Sequence, residues 1–165
     1  MDTNTFRRAF WTAFGGARRN RPNARPMDNG KDLCPDVRGL VSLRKQRLLN
    51  LAFSLLPDNE AYFEVGTYQG KSLVSAQVGN PARPVYACDN FSEFADNAHA
   101  TLHANLARYG LADQVRFFNG DFRQACTPGF LLAPIGLYFY DGAHDRDSQY
   151  EGITRVEPFL ADEAL

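Results

Sequence analysis

Glu64-Val65-Gly66-Thr67-Tyr68-Gln69-Gly70-Lys71-Ser72 is the stretch on which the reading of this chain turns. An apolar run from Ala61 leads into it and a helical pattern from Ser72 to Val78 leads out, so it reads as a strand-to-helix bend. Gly66 and Gly70 lack a Cβ, which lets the backbone turn sharply and lets a ligand approach the main chain. The helix that follows offers unpaired N–H groups at the same place. Two phosphate-binding motifs come close. The dinucleotide fingerprint G-x-G-x-x-G fails at its middle glycine, because Tyr68 follows Thr67. The phosphate loop G-x-x-x-x-G-K-[ST] fails by one residue, and Glu64 would face the phosphates. A nucleotide hydrolase relying on Lys71 stays open as an alternative.

Outward from the bend, helical and strand patterns alternate. Gly39 to Leu56 carries a broad apolar face with Arg44, Lys45 and Arg47 opposite, and Pro57 ends it. Ala61 to Val65, Val85 to Cys88, Val115 to Phe118 and Ile135 to Tyr140 read as buried strands. Glu93 to Tyr109, and a stretch from about Ser148 to Val156, read as helices. Nearly continuous apolar strands separated by helices predict an α/β domain: a Rossmann-like, doubly wound, mainly parallel sheet with helices on both faces. Ligands of such sheets bind beyond the carboxyl ends of the strands, near the switch in strand order. Here those ends carry Glu64 and Gly66, Asp89-Asn90, Gly120-Asp121 and Asp141-Gly142. Carboxylates at four neighbouring tips suit a polyhydroxylated, cationic or metal-bound ligand and repel a bare polyphosphate.

These segments resemble the motifs of class I S-adenosylmethionine-dependent methyltransferases, most closely the macrocin-type and cephalosporin-hydroxylase-like bacterial branch. Glu64 to Gly70 resembles the first motif: an acid, then glycine, three residues, and glycine. Asp89 resembles the second-strand acid that holds the ribose hydroxyls. Val115 to Phe122 resembles the third-strand motif, in which Asp121 and the backbone of Phe122 read the adenine edge. Asp141-Gly142-Ala143-His144 resembles the fourth-strand Asp-Gly-x-His segment. The resemblance implies S-adenosylmethionine bound by Glu64, Gly66, Thr67, Tyr68, Gly70, Asp89, Asn90, Asp121 and Phe122. It implies a small-molecule methyl acceptor, methylated at oxygen. Asp141 matches a magnesium ligand of the metal-dependent branch, and Asp141 and His144 are the two catalytic candidates the resemblance implies. His144 serves either as general base or as a loop imidazole capping the next helix. His99 and His103, four residues apart, have a spacing that can hold a metal, but the glutamate of a zinc-protease motif is missing.

The family sheet has seven strands, and the sequence reaches Leu165 where the fifth would begin. The fourth strand is therefore expected to be a bare apolar edge. The rest of the sheet would come from a completing partner chain or a second copy, or the reading frame is truncated, or the chain is a non-catalytic cofactor-binding remnant.

Bulk composition constrains the remainder. A formal charge of −1 gives no reason to expect nucleic acid or an acidic membrane as partner. No apolar run approaches the ~20 residues that span a bilayer. Cys34, Cys88 and Cys126 are scattered and odd in number, which reads as reduced thiols in a cytoplasmic protein. Residues 1–30 stand apart from the domain at 31–165 as a basic arm. Phe6, Phe10 and Phe14 recur at helical spacing, and Arg7, Arg8, Arg18, Arg19, Arg21 and Arg25 add charge. Such an arm can dock on a membrane, RNA or another subunit; the favoured reading is a short helix packed on its own domain, then a solvated linker.

Overall fold

The computed structural model describes residues 2–15, 31–94 and 96–165. Arg18, Arg19, Arg21 and Arg25 of the basic arm lie outside them. Four strands, β1 (Ala61–Val65), β2 (Val85–Asp89), β3 (Val115–Asn119) and β4 (Ile135–Tyr140), form one sheet in the order β3-β2-β1-β4, every pair parallel. From β1 the chain steps outward through β2 to β3, then returns to the opposite side of β1. The order thus reverses between β1 and β4, where the carboxyl ends of both strands frame a crevice.

Side-chain alternation divides the strands between two apolar layers. Tyr62, Val85, Ala87 and Leu137 face one cluster with Leu49 and Phe53 of α2 (Leu43–Ser54), Leu73 and Val74 of α3 (Lys71–Gln77), and Leu102 and Leu106 of α4 (Ala98–Arg108). Ala61, Phe63, Val65, Tyr86, Cys88 and Ile135 face the other with Phe122 and Ala125 of α5 (Phe122–Ala125) and with Val156, which follows α6 (Arg146–Thr154). The sheet is therefore covered on both faces, as continuous apolar strands require.

Three expectations from sequence are corrected. The helix expected over 93–109 begins only at Ala98, because the preceding residues are drawn into tertiary contacts. The Phe94 ring packs at a tilt against Tyr68, 4.5 Å between centroids, and Asp96 accepts the Tyr68 hydroxyl at 2.6 Å. The helix expected from Gly39 begins at Leu43, where the Ser42 side chain accepts the Lys45 N–H; Leu40 is left 85% exposed. Finally, the outer edge of β4 is not bare. Ala161 N–H donates to Ile135 (2.9 Å), Leu165 N–H to Gly136 (3.1 Å) and Tyr138 N–H to the Leu165 carbonyl (2.8 Å), so the last residues lie along its first half. Leu160 adds a parallel bridge to Ile135.

At the other terminus α1 (Thr3–Phe10) is N-capped by Asp2 and runs into a π-helical turn, Trp11–Gly15. Phe6 packs on the first apolar layer, and Thr3 N–H donates to Glu163 at 2.8 Å. Among the described residues no helix is long and apolar enough to cross a membrane.

Candidate functional site

The crevice beyond the strand ends opens into a cavity of about 270 Å³, just below the roughly 300–1,000 Å³ usual for small-molecule sites. All four strands contribute to its lining. Gly66 and Tyr68 follow β1, Asp89 and Asn90 end β2, Asp121 and Phe122 follow β3, and Asp141 and His144 follow β4. Three sequence candidates do not line it: Glu64, Thr67 and Gly70.

The bend is built by close approach. Gly66 has φ of +84°, and a Cβ there would lie 2.3 Å from the Asp141 carbonyl oxygen. No other residue type lets the β1 and β4 loops meet at this distance. Gly70, also left-handed at φ +88°, starts α3 against Leu102. Tyr68 (φ 48°) and Phe91 (φ 54°) take the same uncommon conformation with full side chains, and both line the cavity. Strain of this kind collects at functional sites. Here both residues serve Asp89: its two carboxylate oxygens accept the Tyr68 and Phe91 backbone N–H groups, each at 2.7 Å. One accepted bond per oxygen leaves each with a further lone pair for a ligand.

The other two aspartates are held differently. Asp121 caps α5 by accepting the Arg123 N–H at 2.8 Å, and pairs with the Arg123 guanidinium at 3.1 Å. Arg123 is in turn bound to Glu151 and lies over the Phe122 ring at 4.7 Å. Asp141 faces Lys45 at 3.9 Å, and the same ammonium sits 5.5 Å from the Phe139 ring. His144 is exposed at the rim, and the cap of α6 belongs to Asp145, which accepts the Ser148 N–H at 2.9 Å. Lys45 and Phe91 are lining residues that the sequence reading missed. Lys45 was read on the solvent face of its helix, and only the fold brings β4 beneath it. The positive φ of Phe91 has no sequence signal.

Glu64 lies beneath the bend rather than in the cavity. It shares strand parity with Tyr62, so it points toward α3, where it bonds the Tyr62 hydroxyl and accepts Ser72 Oγ at 2.7 Å. It is fully buried; burial pushes its carboxyl up to about 8, against the opposing effect of those two hydrogen bonds. The alternation of β1 was the signal that could have revealed this. Thr67 is buried as well, with its hydroxyl oxygen unpartnered.

Lys71, the residue of the near-miss phosphate loop, is committed elsewhere. Its ammonium donates to Asp32 (2.8 Å), the Val37 carbonyl (2.9 Å) and the Cys34 carbonyl (3.2 Å), which uses its three N–H bonds. Burial works against the charge on Asp32, but the Lys71 and Cys34 donors outweigh it and hold that carboxyl below its usual range. This cation straps residues 32–37 to α3 and is not available to a phosphate. Among the described residues no group of three or more His, Cys, Asp or Glu is placed to hold a metal ion.

No curated protein matches the sequence. Solved structures do match the fold. The cofactor-bound protein Rv0187 from MTB superposes with a TM-score of 0.63 at 23% identity, over 78% of this chain and 56% of its own. The O-methyltransferase TomG from Streptomyces achromogenes, in complex with SAM, gives 0.62 at 21% identity, over 79% and 56%. An O-methyltransferase from Bacillus cereus in complex with SAH gives 0.59 at 14% identity, over 96% and 62%. The chain thus spans 56% of the length of the first two. The sequence profile described as a methyltransferase domain matches residues 63–165. That match takes in more than half of the sequence and all four strand-end loops, and by it the chain belongs to the methyltransferase-domain family.

Proposed function

We propose that the chain binds S-adenosylmethionine and transfers its methyl group to an oxygen of a small molecule. The observation that carries this reading is the convergence of eight sequence-identified residues from four separate strand ends on one cavity. In it Asp89, fixed by two backbone donors, keeps lone pairs for two adjacent hydroxyls, the chemistry of a ribose. Asp121 and the start of α5 face the adenine in this reading, and the Gly66 bend admits the amino-acid end of the cofactor. Membership of the methyltransferase-domain family and the SAM- and SAH-bound neighbours support the assignment.

When bound, the cofactor supplies a methyl already activated on a sulfonium, so the protein has chiefly to align the acceptor and exclude water. In the transfer a C–O bond forms as the S–C bond breaks, the electron pair stays on sulfur, and the acceptor loses its hydroxyl proton. In this reading His144, which lines the cavity with Asp141, accepts that proton. Magnesium is a different matter. Asp141 is its only sequence candidate, its carboxylate faces the Lys45 ammonium, and no three-ligand group forms among the described residues. The described residues do not by themselves make a magnesium site. Three unpaired cysteines support a cytoplasmic location.

Isothermal titration of the purified chain is expected to show S-adenosylmethionine, or its demethylated product, binding at micromolar levels. A folded sample silent to both would refute the proposal. A second reading is a cofactor-binding subunit without catalysis of its own. It predicts the same binding, with no methyl transfer until a partner chain is added.

A further inference from the structure

His99 and His103 lie one turn apart on the same face of α4, with their Nε2 atoms 3.2 Å from each other. Both residues are exposed, yet neither ring is loose. Phe91 packs against His99 at 5.3 Å, and Phe117 packs against both rings, at 5.9 and 5.6 Å. Ordering two exposed side chains around a ligand normally costs rotamer entropy, and here the aromatic neighbours have already restricted them. The spacing also suits an ion. Imidazole nitrogens bind zinc at about 2.0–2.1 Å. Two such bonds spanning 3.2 Å enclose roughly 100–105° at the metal, close to the tetrahedral angle.

We propose that His99 and His103 form a two-point site for a divalent transition ion of the zinc or nickel class, with water filling its remaining positions. Imidazole pairs select such ions over magnesium or calcium, which require oxygen ligands. The site is separate from the cavity rim and takes no part in the methyl transfer proposed above. Phe91 nevertheless joins the two. Its ring rests on His99, while its backbone N–H holds Asp89, so an occupied site stiffens one support of the cavity.

The test is titration of ZnCl2, and separately NiCl2, into the full chain and into His99→Ala, His103→Ala and the double variant. Both positions are exposed, and helical circular dichroism checks that each variant is folded. One ion per chain is expected at micromolar affinity, with a roughly tenfold or greater loss in either single variant. Equal binding by the wild type and the double variant would put the ion elsewhere, for instance on Cys126, and overturn the site. No binding by the wild type would reduce the pair to a proton-sharing contact and overturn it equally. Because the probe is the metal alone, neither failure bears on the proposed cofactor chemistry.

Discussion

Below the glycine bend, Glu64 and Lys71 are enclosed and bound by protein groups; above it, Asp89 and Asp141 face an open cavity. Both regions carry charged residue types at the ends of sheet or helix, and both belong to motifs that can be read as ligand-binding. Their physical situations differ. Below, burial makes charge costly, so the Glu64 carboxyl is pushed up to about 8, while the Lys71 ammonium is paired with Asp32 and donates to two carbonyls. Above, solvent reaches the carboxylates, and their spare lone pairs remain open to a ligand. A motif residue thus acts on the ligand or on the frame according to the side of the bend on which its side chain falls.

Substitutions on the two sides should therefore fail in different assays. The largest effect is expected below. Lys71→Met takes the ammonium away from Asp32 and from the Cys34 and Val37 carbonyls, although Asp32 keeps the Cys34 N–H and the Cys34 carbonyl keeps the Val37 N–H, and it should cost about 2–4 kcal/mol of stability in urea denaturation. ATP should give no thermal stabilisation in the wild type, and stabilisation that Lys71→Met abolishes would return Lys71 to the phosphate-loop role. Above the bend, Asp89→Ala should weaken S-adenosylmethionine binding by about 1.5–3 kcal/mol in calorimetry. A loss under about 0.3 kcal/mol would mean that the ribose lies elsewhere.

Another effect, spread over several pH units, separates the sides by pH. The Glu64 carboxyl ionises near ~4.3 when unfolded and at about 8 when folded. Between those values the folded protein holds a proton that the unfolded chain has lost. Its contribution is complete below the lower value and is lost as pH rises through the upper one. The slope is on the order of 1 kcal/mol per pH unit. In Glu64→Gln this part of the slope should vanish between pH ~5 and ~8, measured as the difference between the two denaturation series. Identical series would mean that Glu64 is ionised where it stands. Smallest of all, Lys45→Ala breaks an ion pair whose lysine is half exposed, and stability should move by less than about 0.5 kcal/mol. A larger loss would show that the Phe139 contact, rather than the charge, holds α2 over β4.

Much of this was legible before any coordinates. The strand-end positions of Asp89, Asp121 and Asp141 followed from short apolar runs ending in acids, and periodicity alone carries that signal. Glu64 was placed correctly along the chain and on the wrong side of it, because its motif was weighed above the alternation it shares with Tyr62. Phe94 and Asp96 fit a helical pattern, yet their contacts with Tyr68 and Gln69 hold them out of α4. No local propensity encodes a partner 28 residues away. The basic face of α2 looked like a solvated surface until β4 brought Phe139 and Asp141 beneath Lys45.

The sequence by itself determined the order of elements, the parallel sheet and the acids at its tips, since these depend on hydrophobic period and on glycine's freedom at Gly66 and Gly70. Only the tertiary structure decided which acid is buried and which faces a cavity, which lysine is a strap and which lines that cavity, and that the segment ending at Leu165 lies along β4. Those outcomes depend on desolvation and on contacts between residues far apart in the chain, and neither is a property of a local stretch.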